Sequence, residues 1–536
     1  MHFHHESLTS QDFSFQAICM QVNILSISTE THRRRTNKIK AGRVYSQTAW
    51  AAGITGSHLY LARSAKPPSQ LVSANCSPIS KVPGPWHTKY TNMVVKYQWL
   101  RGKKVEYVHA LHEKYGATVR VGPKEVHTRD ITAIRTIFSV KEGYLKDWWY
   151  ETVQFPGFRS MFSTTDPNFH RNHRRLLQGP LSESSLQIFL PWIDNKVTLA
   201  LSRIQEEMER QGVVDVLKWF LFMATDIIGE LSFGGDSFRM LEVGKKNQYI
   251  RELEREGGVF FAMRSTFPFL AKYLHFLPLP VLQESLKASE NERSYAEASI
   301  ARYRRLLDED PDNVKPTLFT KVWKAGDEGA LTPNQIRDQA MEYIIAGSDT
   351  TANTLTYLVH SMCRNPDVRE RLLKEFEALG PDFTDHDLKK LPFLHCVVEE
   401  TLRLAAPLPA ALPRVVPPGG ASLGGYWLPG GSIISTLPWS VHRMDAIFTD
   451  ARKFIPSRWE NPTKDMKDGF LAFGGGVRTC VGMHLARIEL RLGAAKFFLK
   501  YPEAKVSTKE NFTDAEMEQD IYFLAKFKGN RLLLEL

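Results

Sequence analysis

Cysteine is scarce in this chain: five in 536 residues, at Cys19, Cys76, Cys363, Cys396 and Cys480. Their number is odd and their spacing unpaired, and no C-x-x-C or Cys/His run of the zinc-binding kind occurs. A disulfide framework and a structural zinc site are thereby excluded. A reducing compartment suits such a chain. Long apolar runs are missing too. The nearest approach, Tyr45 to Ala62, carries Gln47, Ser57 and His58 and falls short of the roughly 20 clean apolar residues that span a bilayer. No G-x-G-x-x-G follows a strand pattern, so the chain has no flavin or dinucleotide fingerprint of its own. Linkers and internal repeats are absent from about Val82 onward. The net charge of +10 admits nucleic acid, an anionic membrane or an acidic protein partner. No basic run is interleaved with aromatics, and nucleic acid is set aside.

What is present is a globular balance, 43% hydrophobic and 24% charged. Residues 1–80 read as an N-terminal extension with a basic cluster at Arg33, Arg34, Arg35, Lys38, Lys40 and Arg43. The extension is either a disordered tail or a degenerate membrane-targeting region. Val82-Pro83-Gly84-Pro85-Trp86 is stiff punctuation that marks the entrance to one large domain, residues 81–536. Helical patterns dominate beyond it: Tyr107 to Tyr115, Leu186 to Gln211, Val213 to Phe233 and Leu282 to Leu307. Strand signals are short and scattered: Ala117–Val121, Gly425–Leu428, Ile433–Leu437, Tyr522–Lys526 and Arg531–Leu534. The expected architecture is mainly α with small peripheral β-sheets. The segment Val259 to Leu282 is apolar but broken by Pro268, Pro278 and Pro280, so it is a core helix pair or a surface element dipping into a bilayer.

The most regular helix starts at Thr332-Pro333, an N-cap followed by proline at the first helical position, and runs to about Arg364 before Asn365-Pro366. At roughly 45 Å it is long enough to cross the domain. In its middle, Ala346-Gly347-Ser348-Asp349-Thr350-Thr351 interrupts a buried pattern with a glycine and four polar residues. Hydroxyls there compete for backbone carbonyls and are expected to open a local bulge that holds water. The second informative stretch is Phe473-Gly474-Gly475-Gly476-Val477-Arg478-Thr479-Cys480-Val481-Gly482. Three glycines let the backbone turn tightly against a flat ligand. The sulfur sits near the start of a helix, His484 to Leu499, where dipole and free amides favour a thiolate. Arg478 offers a cation to a carboxylate. These are the requirements of an anionic sulfur bound to iron.

The pattern F-x-x-G-x-R-x-C-x-G at Phe473, Gly476, Arg478, Cys480 and Gly482 resembles the signature of the cytochrome P-450 family at every fixed position. The resemblance implies that family's fold, with haem b lying between the long central helix and the cysteine-loop helix and Cys480 as axial iron ligand. Ala346 to Thr351 is similar to the family's oxygen-activation motif, which implies that Thr350 orients proton-donating water and Asp349 feeds it protons. Glu400-Thr401-Leu402-Arg403 resembles its E-x-x-R, and Phe454-Ile455-Pro456-Ser457-Arg458-Trp459 its F-x-P-x-R-W, with Ser457 where glutamate is more usual. A Glu400–Arg403–Arg458 network holding the cysteine loop is implied. His170 and Arg174, together with Arg414, resemble the family's haem-propionate contacts. Neighbouring cations of the His170 helix would face an acidic electron donor.

The implied reaction inserts one atom of dioxygen into a lipophilic substrate, with electrons from NADPH through a separate reductase. Ile344, Ile345, Ala346, Leu408 to Leu412 and the loop from Trp148 to Phe162 are the expected substrate contacts. The substrate expected from the resemblance to fungal members is a secondary-metabolite intermediate, and the expected location is the cytosolic face of the endoplasmic reticulum membrane. Two rivals stay open on the sequence: a haem-thiolate nitric oxide reductase, whose helix generally lacks an acid at the position of Asp349, and a haem-binding sensor or carrier without turnover.

Overall fold

The computed structural model describes residues 74–154, 158–234, 238–248, 250–251, 258–268, 280–309 and 316–536. The basic cluster, the Tyr45–Ala62 stretch and residues 269–279 of the Pro-broken segment lie outside the described residues.

The fold is organised around one helix. Thr332 Oγ1 accepts the amide of Gln335, and Gln335 Oε1 accepts the amide of Thr332. This reciprocal cap, with Pro333 behind it, starts a helix that runs without interruption from Pro333 to Arg364. The expected bulge is not there. Ser348, Thr350 and Thr354 each donate to the carbonyl four residues back, at 2.8, 2.6 and 2.8 Å, yet the helix keeps its α form throughout. Gly347 therefore has a different reason to be glycine: a Cβ there would lie 2.6 Å from Ile228. It lets the helix Val216–Phe233, buried along almost its whole length, approach closely. Gly347→Ala is expected to cost about 1–3 kcal/mol by overpacking, read as a lower denaturant midpoint.

In chain order we call the helices used below α1 (Pro167–Leu177), α2 (Leu190–Gln211), α3 (Val216–Phe233), α4 (Pro333–Arg364), α5 (Pro392–Leu404) and α6 (Met483–Lys500). Pro191 sits in the first turn of α2, and Gly212, at φ +67°, ends it. The largest core cluster takes in residues of α2, α3, α4, α5 and α6, so every one of these elements is fixed by one continuous apolar interior.

The sheets are small. Five strands pair in the order β1-β2-β5-β4-β3, where β1 is Thr118–Gly122, β2 Glu125–Thr128, β3 Leu145–Lys146, β4 Leu412–Val415 and β5 Ile433–Thr436. The register sets Lys146 directly opposite Arg414, so two cations share one face of the sheet, an unfavourable pairing unless an anion joins them. A second sheet joins Val214–Asp215 to Leu533–Glu535, which in turn pairs with Lys505–Val506. Leu532 donates to the Asp215 carboxylate at 3.0 Å, across 317 positions of sequence. That pairing is invisible in local pattern, and sequence analysis merged Val214–Asp215 into the helix that follows.

Among the histidines that are wholly inside are His112 and His442. Burial, helped by His127 for His112 and by Arg403 and Arg443 for His442, holds both imidazoles neutral, with pKa values down to about 3. The unfolded chain takes up these protons near the ordinary value of about 6.5. The folded pKa is the lower one, so this contribution is complete above about pH 6.5. It is lost as pH falls towards 3, by up to about 1.4 kcal/mol per pH unit for each histidine. A series of urea midpoints from pH 7 to pH 5 should fall steadily; a flat series would contradict the assignment.

Candidate active site

Among the described cysteines only Cys480 lines the cavity beside the central helix, and this separates it from the others. Cys363 and Cys396 lie in the core or against it, where burial pushes their thiols up to about 12 and about 11. Cys76 is exposed on the outside. Cys480 lines a cavity of about 380 Å³. Its amide donates to the carbonyl of Phe473 at 2.9 Å, closing the loop at the entrance to α6. Gly474 and Gly476 stand at φ +70° and +62°, and a Cβ on Gly476 would meet the carbonyl oxygen of Phe138 at 2.3 Å. No other residue type fits that turn. Burial raises the thiol pKa, while the amides of Gly482 and Met483 and the Arg174 guanidinium pull it down. Phe473 lines the cavity beside the sulfur, and Gly476 shapes the loop from behind.

One side of the cavity is a concentration of basic side chains. His170, Arg174, Arg414, Arg478 and Lys146 all line it. Burial, then the proximity of Arg414 and Arg478, drives the Lys146 ammonium well below its ordinary pKa. Burial followed by Arg478, Arg174 and Lys146 takes His170 down to about 3, and burial with Arg414 brings Arg478 to about 10. Lys146 packs over the rings of Tyr150 and Phe162 at 4.0 and 3.9 Å and donates to the carbonyl of Phe162. Arg174 donates to the carbonyl of Thr479 at 2.8 Å, tying α1 to the cysteine loop. Arg414 reaches the Tyr150 hydroxyl at 3.3 Å, and Arg478 the carbonyl of Met161 at 3.3 Å. Among the described residues, none of these five basic side chains has a carboxylate at ion-pairing distance. Sequence reading found His170, Arg174, Arg414 and Arg478 and missed Lys146. Its signal was the register that places it across from Arg414.

The central helix forms another wall. Asp349 and Thr350 line the cavity, as do Ile345 and Ala346. Thr350 spends its hydroxyl proton on the Ala346 carbonyl, so Oγ1 presents lone pairs to the cavity. Leu408 and Leu412 add apolar surface, and the expected loop supplies Tyr150, Val153, Met161 and Phe162. Ile344 is a correction. It is fully buried among the core residues and does not line the cavity. Trp148, at the start of that loop, points outward and is 54% exposed. An aromatic end wall was not foreseen: Phe261 and Phe523 stack at 5.6 Å, and Phe162 lies 5.7 Å from Phe523.

Behind the cysteine loop, Arg403 donates to both oxygens of Glu400 at 2.8 Å, and Arg458 to Glu400 Oε1 at 3.1 Å. Glu400 and Arg403 are completely buried, so the exposed ion pair that their i,i+3 spacing allows is not what forms. Arg403 also donates to the carbonyls of His442, Ala451 and Lys453. Two members were missed from sequence. Trp459 donates its indole N–H to Glu400 Oε2 at 2.9 Å, and His442 Nε2 accepts the amide of Leu471 at 2.9 Å. His442 thereby joins the network to the chain leading into the cysteine loop.

A thiol beside a helix start, a glycine turn and a wall of cations without acids together fit a flat, metal-bearing ligand with two carboxylates, as haem is. The comparisons agree. The family model for cytochrome P450 matches residues 83–528. Cytochrome P450 monooxygenase tazI of Aspergillus terreus is 43% identical over 461 residues, covering 86% of this chain and 94% of that protein. Cytochrome P450 monooxygenase orf2 of Aspergillus niger is 41% identical over 459 residues, 86% and 93% of the two chains. Cytochrome P450 monooxygenase stcB of Emericella nidulans is 31% identical over 467 residues, 85% and 88%. The chain belongs to the cytochrome P450 family. It is an enzyme of the monooxygenase kind, and haem is the cofactor its family implies. The sensor and nitric oxide reductase readings are set aside on that ground.

Proposed function

We propose that Cys480 would supply the thiolate ligand of a haem b iron, and that Arg174, His170, Arg414, Arg478 and Lys146 would hold its propionates. The observation that carries this reading is one cavity shared by the thiol, a wall of basic side chains without ion-pair partners among the described residues, and the Asp349–Thr350 pair. When bound, haem would supply the site at which dioxygen, the oxidant, is activated. The protein supplies the rest. Thr350 Oγ1 holds a water as hydrogen-bond acceptor, Asp349 renews the proton that this water delivers, and apolar surface from Ile345, Ala346, Leu408 and Leu412 keeps other water away. The Glu400–Arg403–Arg458 network holds the cysteine loop and takes no part in the chemistry.

The substrate we propose is lipophilic and flat, matching the apolar lining and the aromatic end wall, and a fungal secondary-metabolite intermediate is the class we favour. Electrons come from NADPH through a separate reductase. No helix among the described residues is long and apolar enough to cross a membrane; attachment at the cytosolic face of the endoplasmic reticulum is our reading for the whole chain. Oxygen uptake tests the function: with an NADPH-dependent reductase, a flat lipophilic ligand should stimulate dioxygen consumption, and oxygenated product should carry one atom from labelled dioxygen. Label absent from the product would overturn the reading.

A further inference from the structure

Glu342 lies on α4 and lines the cavity, and the reaction outlined above gives it nothing to do. Seven residues, two turns, separate it from Asp349, so the two carboxyls stand on one face of the helix roughly 10 Å apart, with Thr350 roughly 12 Å away. One of the Glu342 oxygens, Oε2, is buried without a hydrogen-bond partner, an unfavourable state that a donor on a ligand would relieve. The Ser160 hydroxyl is its hydrogen-bonding neighbour, on a loop held against α4 from both sides of that point. The amide of Arg159 donates to Asp338 at 2.9 Å and that of Met161 to Gln339 at 3.1 Å. The loop cannot swing in to satisfy Glu342 without breaking those bonds. Lys146, the facing cation, is turned to Phe162 instead.

We propose that Glu342 is the polar anchor of the substrate, taking a hydroxyl or keto oxygen at the end of the molecule remote from the carbon oxidised near Thr350. The inference rests on the monooxygenase reading of the cavity. It narrows the substrate to a flat, largely apolar molecule with an oxygen function roughly 12 Å from the reacting carbon. Burial, with Asp338 adding to it, raises the Glu342 carboxyl to about 7, against Ser160 and Lys146, which lower it. The ionised form accepts from a hydroxyl, and the neutral form donates to a ketone. Near neutrality both are present.

The test uses the haem-loaded full chain and three probes: biphenyl, 4-phenylphenol and 4-acetylbiphenyl. Affinities are measured by equilibrium dialysis, which does not depend on the iron. Glu342→Leu should bind biphenyl at least as well as the parent and lose roughly tenfold for 4-phenylphenol, the worth of one buried hydrogen bond. Glu342→Gln, which keeps a donor and an acceptor, should stay within about threefold of the parent for that probe. The parent should also bind the ketone more weakly as pH rises from 6 to 8, and Glu342→Gln should not. Equal loss of biphenyl and 4-phenylphenol in Glu342→Leu would show a structural role and overturn the proposal, as would unchanged affinity for both. The reduced, carbonyl-bound spectrum is recorded on the same samples. A parent lacking the red-shifted Soret band indicts the haem-thiolate reading, whereas a normal band with unselective binding indicts Glu342 alone.

Discussion

Replacing Cys480 by alanine is expected to abolish oxygenation and to erase the red-shifted Soret band of the reduced, carbonyl-bound protein. Thiolate ligation is what shifts that band and what pushes electron density towards O–O cleavage. Among the described residues no second thiol lines the cavity, so none can substitute. The cation wall is untouched by the change, and it should still draw haem into the cavity. The expected product is a protein that retains measurable haem, shows a carbonyl spectrum without thiolate character and turns over at least about a thousandfold more slowly. Haem content, carbonyl difference spectrum and oxygen-label incorporation measured together decide the matter. Full activity with an unshifted spectrum would remove Cys480 from the role proposed for it.

Arg403→Leu is expected to be the most damaging substitution away from the cavity. Breaking a fully buried ion pair by removing one partner costs about 3–5 kcal/mol. Here the loss also strands the carbonyls of His442, Ala451 and Lys453, which Arg403 satisfies. A domain's whole margin is about 5–15 kcal/mol, so folded, haem-loaded protein should not accumulate. Arg458→Leu should be milder: Arg458 gives Glu400 one bond at 3.1 Å, and Trp459 and the amide of Ile455 still reach the carboxylate. Urea midpoints and haem per chain order the two variants. A smaller effect for Arg403 than for Arg458 would contradict the geometry.

The parts of the site that local chemistry dictates were legible in the sequence. Thr332, Pro333 and Asn365-Pro366 announce the ends of α4 because a cap and a proline act on their own turn. The glycine run before Cys480 announces a turn that side chains would block. What depends on partners far along the chain was not legible. Lys146 belongs to the cation wall because β3 pairs with β4, and Gly347 is glycine because of Ile228 on another helix. Ile344 is a different kind of miss: its side chain is taken up by the apolar core and not by the cavity. The assumption that a glycine and several hydroxyls would open α4 failed because those hydroxyls bond backward to carbonyls that keep their helical places.

The small sheet at the foot of α3 bears on how the protein is made. Asp215 caps α3 and also receives the amide of Leu532, 317 positions later. At a synthesis rate of about 5–20 residues per second, the cap waits on the order of 15–60 s for its last partner. Throughout that interval α3, apolar on nearly every side, has been translated, while α4 and the closing strand arrive in turn. Domain closure is consequently a late event in the life of the nascent chain. The ribosome-bound intermediate, rather than the finished enzyme, is the species that most needs a chaperone.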